Sequence, residues 1–294
     1  MVKIIGMNKF NKAQSLYRSW LIAHSSWLIA IFSLFVIPSF AHNPLDLKPG
    51  IKKPSTVISS RSDCAQGTSR FDADINNVRA ALLSSGDVWW DLTVAQYVVP
   101  KVIPGSGAKA VSSIFAGSVW IGGVDQAGNL KVAVQTYRTS TQTDFWPGPL
   151  TQNGSTNAGT CANWDKHFVV YATDIDSMLK LFNAAKAKDP NNPVIDCGAV
   201  PTALKAWPST GNPYFFDINR FSLPLDENGD GLYDPCTGDY PTIDIKGCNS
   251  PVYPDQMIFW IYNDNGGVHT QSARSVAVQM EIQVQAFAYK TNDE

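Results

Sequence analysis

The strongest pattern in the chain is an alternation over residues 276–288. The even positions read Val, Val, Met, Ile, Val, Ala, Ala, and the odd positions are mostly Ala, Gln and Glu. Successive side chains of a strand face opposite ways, so a period of two predicts a long strand with one buried face. Such a strand needs a neighbour. Either the apolar run QMIFWIYND (256–264) pairs with it and closes the sheet, or the domain continues past residue 294.

Shorter apolar or alternating runs bounded by Gly, Asn and Asp predict further strands: VRAALL (78–83), SSIFAGSVWIGGVD (112–125), NLKVAVQTYR (129–138) and HFVVYA (167–172). The turn-forming DQAGN (125–129) makes 113–138 a predicted hairpin, with Trp120 and Trp260 placed in the core by their apolar strands. One amphipathic stretch stands apart. Asp174 can cap IDSMLKLFNAAKAK, whose Ile175, Met178, Leu179, Leu181 and Phe182 fall largely on one side and whose end carries Lys. PTALKAWP (201–208) predicts a single helical turn between prolines. The expected fold is mainly β, an antiparallel β-sandwich-like domain with one or two short helices and long Pro/Gly-rich loops.

The first 41 residues break from this pattern. Lys3, Lys9, Lys12 and Arg18 precede the apolar run WLIAHSSWLIAIFSLFVIPSFA, which ends in a small-x-small site, Ser39-Phe40-Ala41. Together these predict a cleaved export signal of the Sec type over 1–41, with an uncleaved anchor as the competing reading. Residues 42–62 read as a linker or extended arm, and 63–294 as one β-rich domain. Removing the four leader cations leaves 19 basic against 25 acidic side chains, a net charge of −6 for the mature chain. With no basic run, nucleic acid is an unsuitable partner, and no second apolar span predicts a transmembrane segment.

All five cysteines follow the predicted leader, where an oxidising compartment favours disulfides. Cys236 and Cys248 flank a short loop and are the easiest local pair. Cys161 with Cys197, bracketing the predicted helix, is the second candidate, which leaves Cys64 over.

Four segments in order, NNVRAALLSSGDVWWDL, FAGSVWIGGVDQAGNLKVAVQTYR, DFWPGPL and the closing region with DENGDGLYDP, GDYP, QMIFWIYNDNGGVHT and QVQAFAY, resemble the N-terminal region of large secreted proteins of Bacteroidota. Those proteins leave through the type IX secretion system and carry a C-terminal sorting domain, which this sequence lacks. The resemblance spans roughly residues 75–294 and implies an extracellular or cell-surface location. It implies no reaction.

Candidate chemistry centres on PLDENGDGLYDP (224–235). Asp226, Asn228 and Asp230 occupy positions 1, 3 and 5 of an EF-hand-like loop, with Gly231 at 6, the Leu232 carbonyl at 7 and Asp234 at 9. Hard oxygens at alternate positions suit calcium. Position 12 is Thr237, so Asp239 would have to complete the set. The expected Ca2+ is structural, and the alternative is an Asp/Asn/Gly turn without an ion. A second candidate is a sugar-stacking platform of Trp89, Trp90 and Trp146 with Asp91, set against their placement in a β core. No GxSxG motif or glycine-rich phosphate loop occurs, and His167 and His269 read as turn or surface residues. The leading expectation is a secreted structural or adhesion module without catalysis. A carbohydrate-binding or glycan-hydrolysing module, or a subunit assembled through its terminal strand, are the alternatives. The corresponding partners are glycans, surface proteins, or other copies through strand-mediated self-association.

Overall fold

The computed structural model describes residues 2–5, 63–103, 105–136, 142–209, 224–243, 252–272 and 275–290. The linker at 42–62, most of the predicted leader and Cys248 lie outside the described residues. In chain order the strands are β1 (Val2–Ile5), β2 (Arg70–Ala73), β3 (Arg79–Leu83), β4 (Asp87–Val88), β5 (Tyr97–Val98), β6 (Ser112–Ile114), β7 (Gly117–Ser118), β8 (Ile121–Val124) and β9 (Leu130–Ala133). There follow β10 (Trp146–Pro147), β11 (Phe168–Tyr171), β12 (Pro224–Leu225), β13 (Tyr240–Pro241), β14 (Gln256–Asn263) and β15 (Glu281–Ala288). The helices are α1 (Ala158–Trp164), α2 (Ala172–Lys188) and α3 (Thr202–Lys205). Every pairing is antiparallel, and the fold is mainly β.

β14 is the organising strand. All eight of its residues are buried, and it pairs along its whole length with β15, from Gln256 opposite Ala288 to Asn263 opposite Glu281. Its other edge takes β11 and β10 end to end. The expected closure of the terminal strand by QMIFWIYND is therefore observed.

Period-two geometry sends alternate β14 side chains into two cores. Ile258, Trp260 and Tyr262 meet Leu82 of β3, Ala133 of β9, Phe145, Ile282 and Val284. Met257, Phe259 and Ile261 meet Ile175, Met178 and Phe182 of α2, Leu204 of α3 and Trp207. A helical layer, the β14 sheet and the sheet ordered β6-β5-β3-β4-β7 are thus stacked on one strand's two faces. Each fully buried large apolar side chain contributes roughly 1.5–3 kcal/mol.

The β8–β9 hairpin forms around residues 125–129 as predicted, with the Asp125 carboxylate accepting from Ala127 and Asn129 N–H. α2 starts two residues earlier than Asp174. That carboxylate sits in the first turn and accepts from the Tyr171 N–H at 3.0 Å, capping from within the helix.

The terminal strand is shorter than its alternation. Gln279 adopts φ 64°, and Val278 and Met280 give their N–H groups to the Asp264 carboxylate instead of a ladder, so β15 begins only at Glu281. Trp120 is not in the core. It is 68% exposed, with its indole N–H donated to the Gln135 carbonyl.

The disulfide candidates are corrected as well. Cys64 bonds Cys161 and Cys197 bonds Cys236, with Cα separations of 5.8 and 5.2 Å. Neither Cys236–Cys248 nor Cys161–Cys197 forms, because the partners are chosen by packing and not by nearness in sequence. Asn157 caps α1, whose buried residue is Cys161, and Cys64 is held nearby by its N–H bond to the Gly266 carbonyl. Cys197 and Cys236 each lie in a short 3-10 turn capped by the preceding aspartates, Asp196 and Asp234.

Candidate functional site

The acidic loop runs from β12 to β13, which pair with each other and so bring its ends together. Gly229 and Gly231 take φ of 73° and 77°, a left-handed conformation that a side chain would strain. The Asp226 carboxylate accepts from the N–H groups of Gly229 (2.7 Å) and Gly231 (2.8 Å). Asn228 Oδ1 accepts from Asp230 N–H, and Asp230 Oδ1 from Leu232 N–H. Asp239 is buried and reaches back into the loop, taking the Glu227 N–H on one oxygen and the Asp234 N–H on the other. Asp234 itself caps the 3-10 turn at Cys236 N–H.

These bonds make a series of side-chain-closed turns. They also gather carboxylates. Burial pushes the Asp239 carboxyl above its ordinary range, and the nearby charges of Asp226 and Asp230 push it further, against the two N–H groups it accepts. Opposite-sign relief comes from the flank, where Lys186 of α2 meets Glu227 at 2.5 Å. The Leu232 side chain is 68% exposed. Among the described residues, no group of three or more His, Cys, Asp or Glu is arranged to hold a metal ion. The donor set is nonetheless the hard-oxygen chemistry that calcium takes, and like charges crowding a buried Asp239 are what a cation would relieve.

The tryptophans divide differently from the expected platform. Trp90 and Trp146 are 3% and 4% exposed, so neither offers a ring face to a sugar. Trp146 stacks on His269 with centroids 6.0 Å apart. Trp89 is half-buried, held at φ 66° and packed edge-on against Tyr97. Asp91 is committed to its own turn, accepting from the N–H groups of Thr93 and Val94 and from Gln96 Nε2. Partial burial opposes ionisation, but these hydrogen bonds prevail and bring the carboxyl down to about 2.

His269, expected on the surface, is buried between two aspartates. Its Nε2 lies 2.6 Å from the Asp264 carbonyl, and its Nδ1 lies 2.9 Å from the Val132 carbonyl and 3.3 Å from the Ser272 hydroxyl. The carboxylates of Asp144 and Asp264 sit 3.8 Å from it on either side. Asp144 in turn accepts from the N–H groups of Val134, Gln271 and Ser272. The cluster therefore stitches β9, the 142–146 segment and the approach to β15 into one unit. Its complete burial gives it a structural role that no spacing in the sequence signals.

A second group has the composition of a catalytic set without its connectivity. Ser69 Oγ is 3.1 Å from His167 Nδ1. Asp165, two residues before the histidine, is taken by Thr68 and Ser69 N–H groups and by the Ser84 hydroxyl. Burial holds the His167 ring neutral, down to about 4, with only partial opposition from Asp165. Three segments are thereby tied together at residues 68–69, 84 and 165–167. No protein-family model, curated protein or solved structure matches the chain.

Proposed function

We propose that the chain is a secreted or cell-surface structural module of the adhesion or matrix type, without catalysis, whose acidic loop holds a structural calcium ion. The observation that carries the reading is the pair of disulfides, which span sequence separations of 97 and 39 residues. Disulfides persist in oxidising compartments, in line with the basic-then-apolar leader. No helix among the described residues is long and apolar enough to cross a membrane. The polar groups singled out at Asp91, Asp144, Asp165 and Asp264 are engaged in closing turns and joining segments, which is the chemistry of a scaffold.

In this reading Asp226, Asn228, Asp230, Asp234 and Asp239 supply side-chain oxygens and Leu232 its carbonyl. The ion would cancel the repulsion that Asp226 and Asp230 exert on Asp239 and order a loop with little backbone pairing of its own. Extracellular modules bind calcium at about 0.1–1 mM, so saturating calcium should add roughly 1–2 kcal/mol to stability. The test is thermal unfolding of the exported protein in millimolar calcium and in EDTA. A midpoint several degrees lower in EDTA, abolished by Asp230→Asn, supports the site. An unchanged midpoint removes calcium from the function. Surface proteolysis and fractionation of the producing cells test the location, and recovery in the cytoplasm alone would overturn it.

A further inference from the structure

The two disulfides differ in what surrounds them. Cys161 is 2% exposed on α1, and its partner Cys64 is half-buried. Cys197 is exposed in its 3-10 turn, and Cys236 is half-buried against the helical core. Thiol–disulfide exchange needs an attacking thiolate to reach one sulfur, so access ranks the Cys197–Cys236 bond first. Charge favours one end of that bond. The Lys205 ammonium lies 3.1 Å from the Cys197 carbonyl, whereas the Asp234 carboxylate accepts from the Cys236 N–H. A thiolate is drawn to the cation and repelled by the carboxylate.

The bond also holds something local. Val200, Leu204 and Trp207 after Cys197, and Tyr240 and Ile243 after Cys236, are buried in the helical core, so both segments stay anchored when the link is cut. Residues 226–237 add to the disulfide a surface ion pair, Lys186–Glu227, and the Tyr233 hydroxyl, which donates to the Leu204 carbonyl at 2.9 Å. Such ties are weaker than a covalent one.

We infer that Cys197–Cys236 is a thiol-exchange site through which a dithiol reductant releases the acidic loop, while Cys64–Cys161 and the core stay closed. The reductant's thiolate attacks Cys197 Sγ and forms a mixed disulfide with it. The Cys197–Cys236 bond breaks, and Cys236 leaves as a thiolate that takes a proton from water. The reductant's second thiolate then displaces Cys197, so the dithiol is oxidised to a disulfide and both cysteines end as thiols. Asp234 and Asp239 stand two residues before and three residues after Cys236, and reduction frees that stretch from the turn at 197. For the calcium ion, a consequence that rests on the function proposed above, losing this anchor lowers affinity. By linkage, bound calcium in turn protects the bond from reduction.

The test uses the full chain exported with both bonds formed. Free thiols are blocked with N-ethylmaleimide, the protein is treated with limiting dithiothreitol in EDTA, and new thiols are trapped with iodoacetamide. Peptide mass spectrometry should find Cys197 and Cys236 labelled about tenfold faster than Cys64 and Cys161. Glutathione, a monothiol that stops at the mixed disulfide, should be found on Cys197 and not on Cys236. Hydrogen exchange of the selectively reduced protein should rise in 226–237 and stay unchanged in β14. Equal labelling of the two bonds, or earlier labelling of Cys64 and Cys161, overturns the site. Protection lost in β14 as well overturns a local release. Cys197→Ser combined with Cys236→Ser should reproduce the exchange pattern of the reduced parent, which gives the same reading without relying on the variant to fold. Calcium titration of the oxidised and reduced forms separates the two proposals. Binding about tenfold weaker after reduction supports the coupling, and equal binding overturns it. Binding by neither form overturns the calcium ion and leaves the exchange site standing on its labelling.

Discussion

Single residues in this molecule are fixed most tightly where two chain segments come closest. Gly266 is one such point. A Cβ there would lie 2.4 Å from the Trp146 Cβ and 2.5 Å from its Cγ, and that ring is itself stacked on His269. Gly266→Ala should therefore displace the ring and cost about 1–3 kcal/mol, readable as a midpoint several degrees lower. The buried titratable groups give a sharper test. Burial raises Asp87 to about 7, against the hydrogen bond from Gln135, and lowers His167 to about 4. A carboxyl raised in the fold contributes stability that is present below its unfolded value and lost as pH rises toward 7. A histidine depressed in the fold contributes stability that is present above about 6.5 and lost as pH falls toward 4. The two slopes oppose each other between about pH 4 and 6.5. Relative to the parent, Asp87→Asn should gain stability as pH rises through that window, and His167→Gln should gain as pH falls. Parallel urea curves at pH 4.5 and 6.5 check both signs, and identical shifts at the two pH values would refute the assignment.

At the scale of elements, what the sequence made legible was what local geometry alone controls. The alternation at the C-terminal end, the DQAGN turn and the apolar face of α2 are each read within a dozen residues; the turn and the helix face are found as expected, and the alternating strand is found from Glu281 onward. The unbroken apolar run of β14 also makes sense once its two faces are seen to be covered separately. α1 escaped because AGTCANW contains Gly, Thr and Asn and spans only seven residues, its start fixed by the Asn157 cap. The aromatic exposures escaped for another reason. Trp120 and Trp146 sit in equally apolar strings, and only the long-range partner, solvent for one and His269 for the other, separates them. Disulfide pairing is long-range in the same sense. It makes a prediction at this scale: the Cys197–Cys236 bond anchors the acidic loop's 3-10 turn to the segment before α3. Replacing both with Ser should cost about 2–5 kcal/mol and raise hydrogen exchange in 226–239 before it does so in β14.

Across the whole molecule, β14 is shared by two cores that would otherwise be independent. Ile258 faces the sheet of β3 and the hairpin, while Met257 and Phe259, its immediate neighbours, face α2 and α3. Because backbone position is common to both faces, a change that loosens β14 from one side must reach the other. Ile258 is 1% exposed, and shortening it to Ala would remove contacts on the sheet side only, at a cost of roughly 2–5 kcal/mol. If the layers form one cooperative unit, native-state hydrogen exchange should show the same loss of protection in α2 as in β3. The reverse change, Phe182→Ala on the helical side, should lower protection in β3 by as much as in α2. Protection lost only in the layer that was cut would mean two separable units held by one strand. The Asp144–His269–Asp264 cluster and the bonds of Asp165 to Thr68 and Ser84 argue for the single unit, since each crosses between segments that β14 alone does not join.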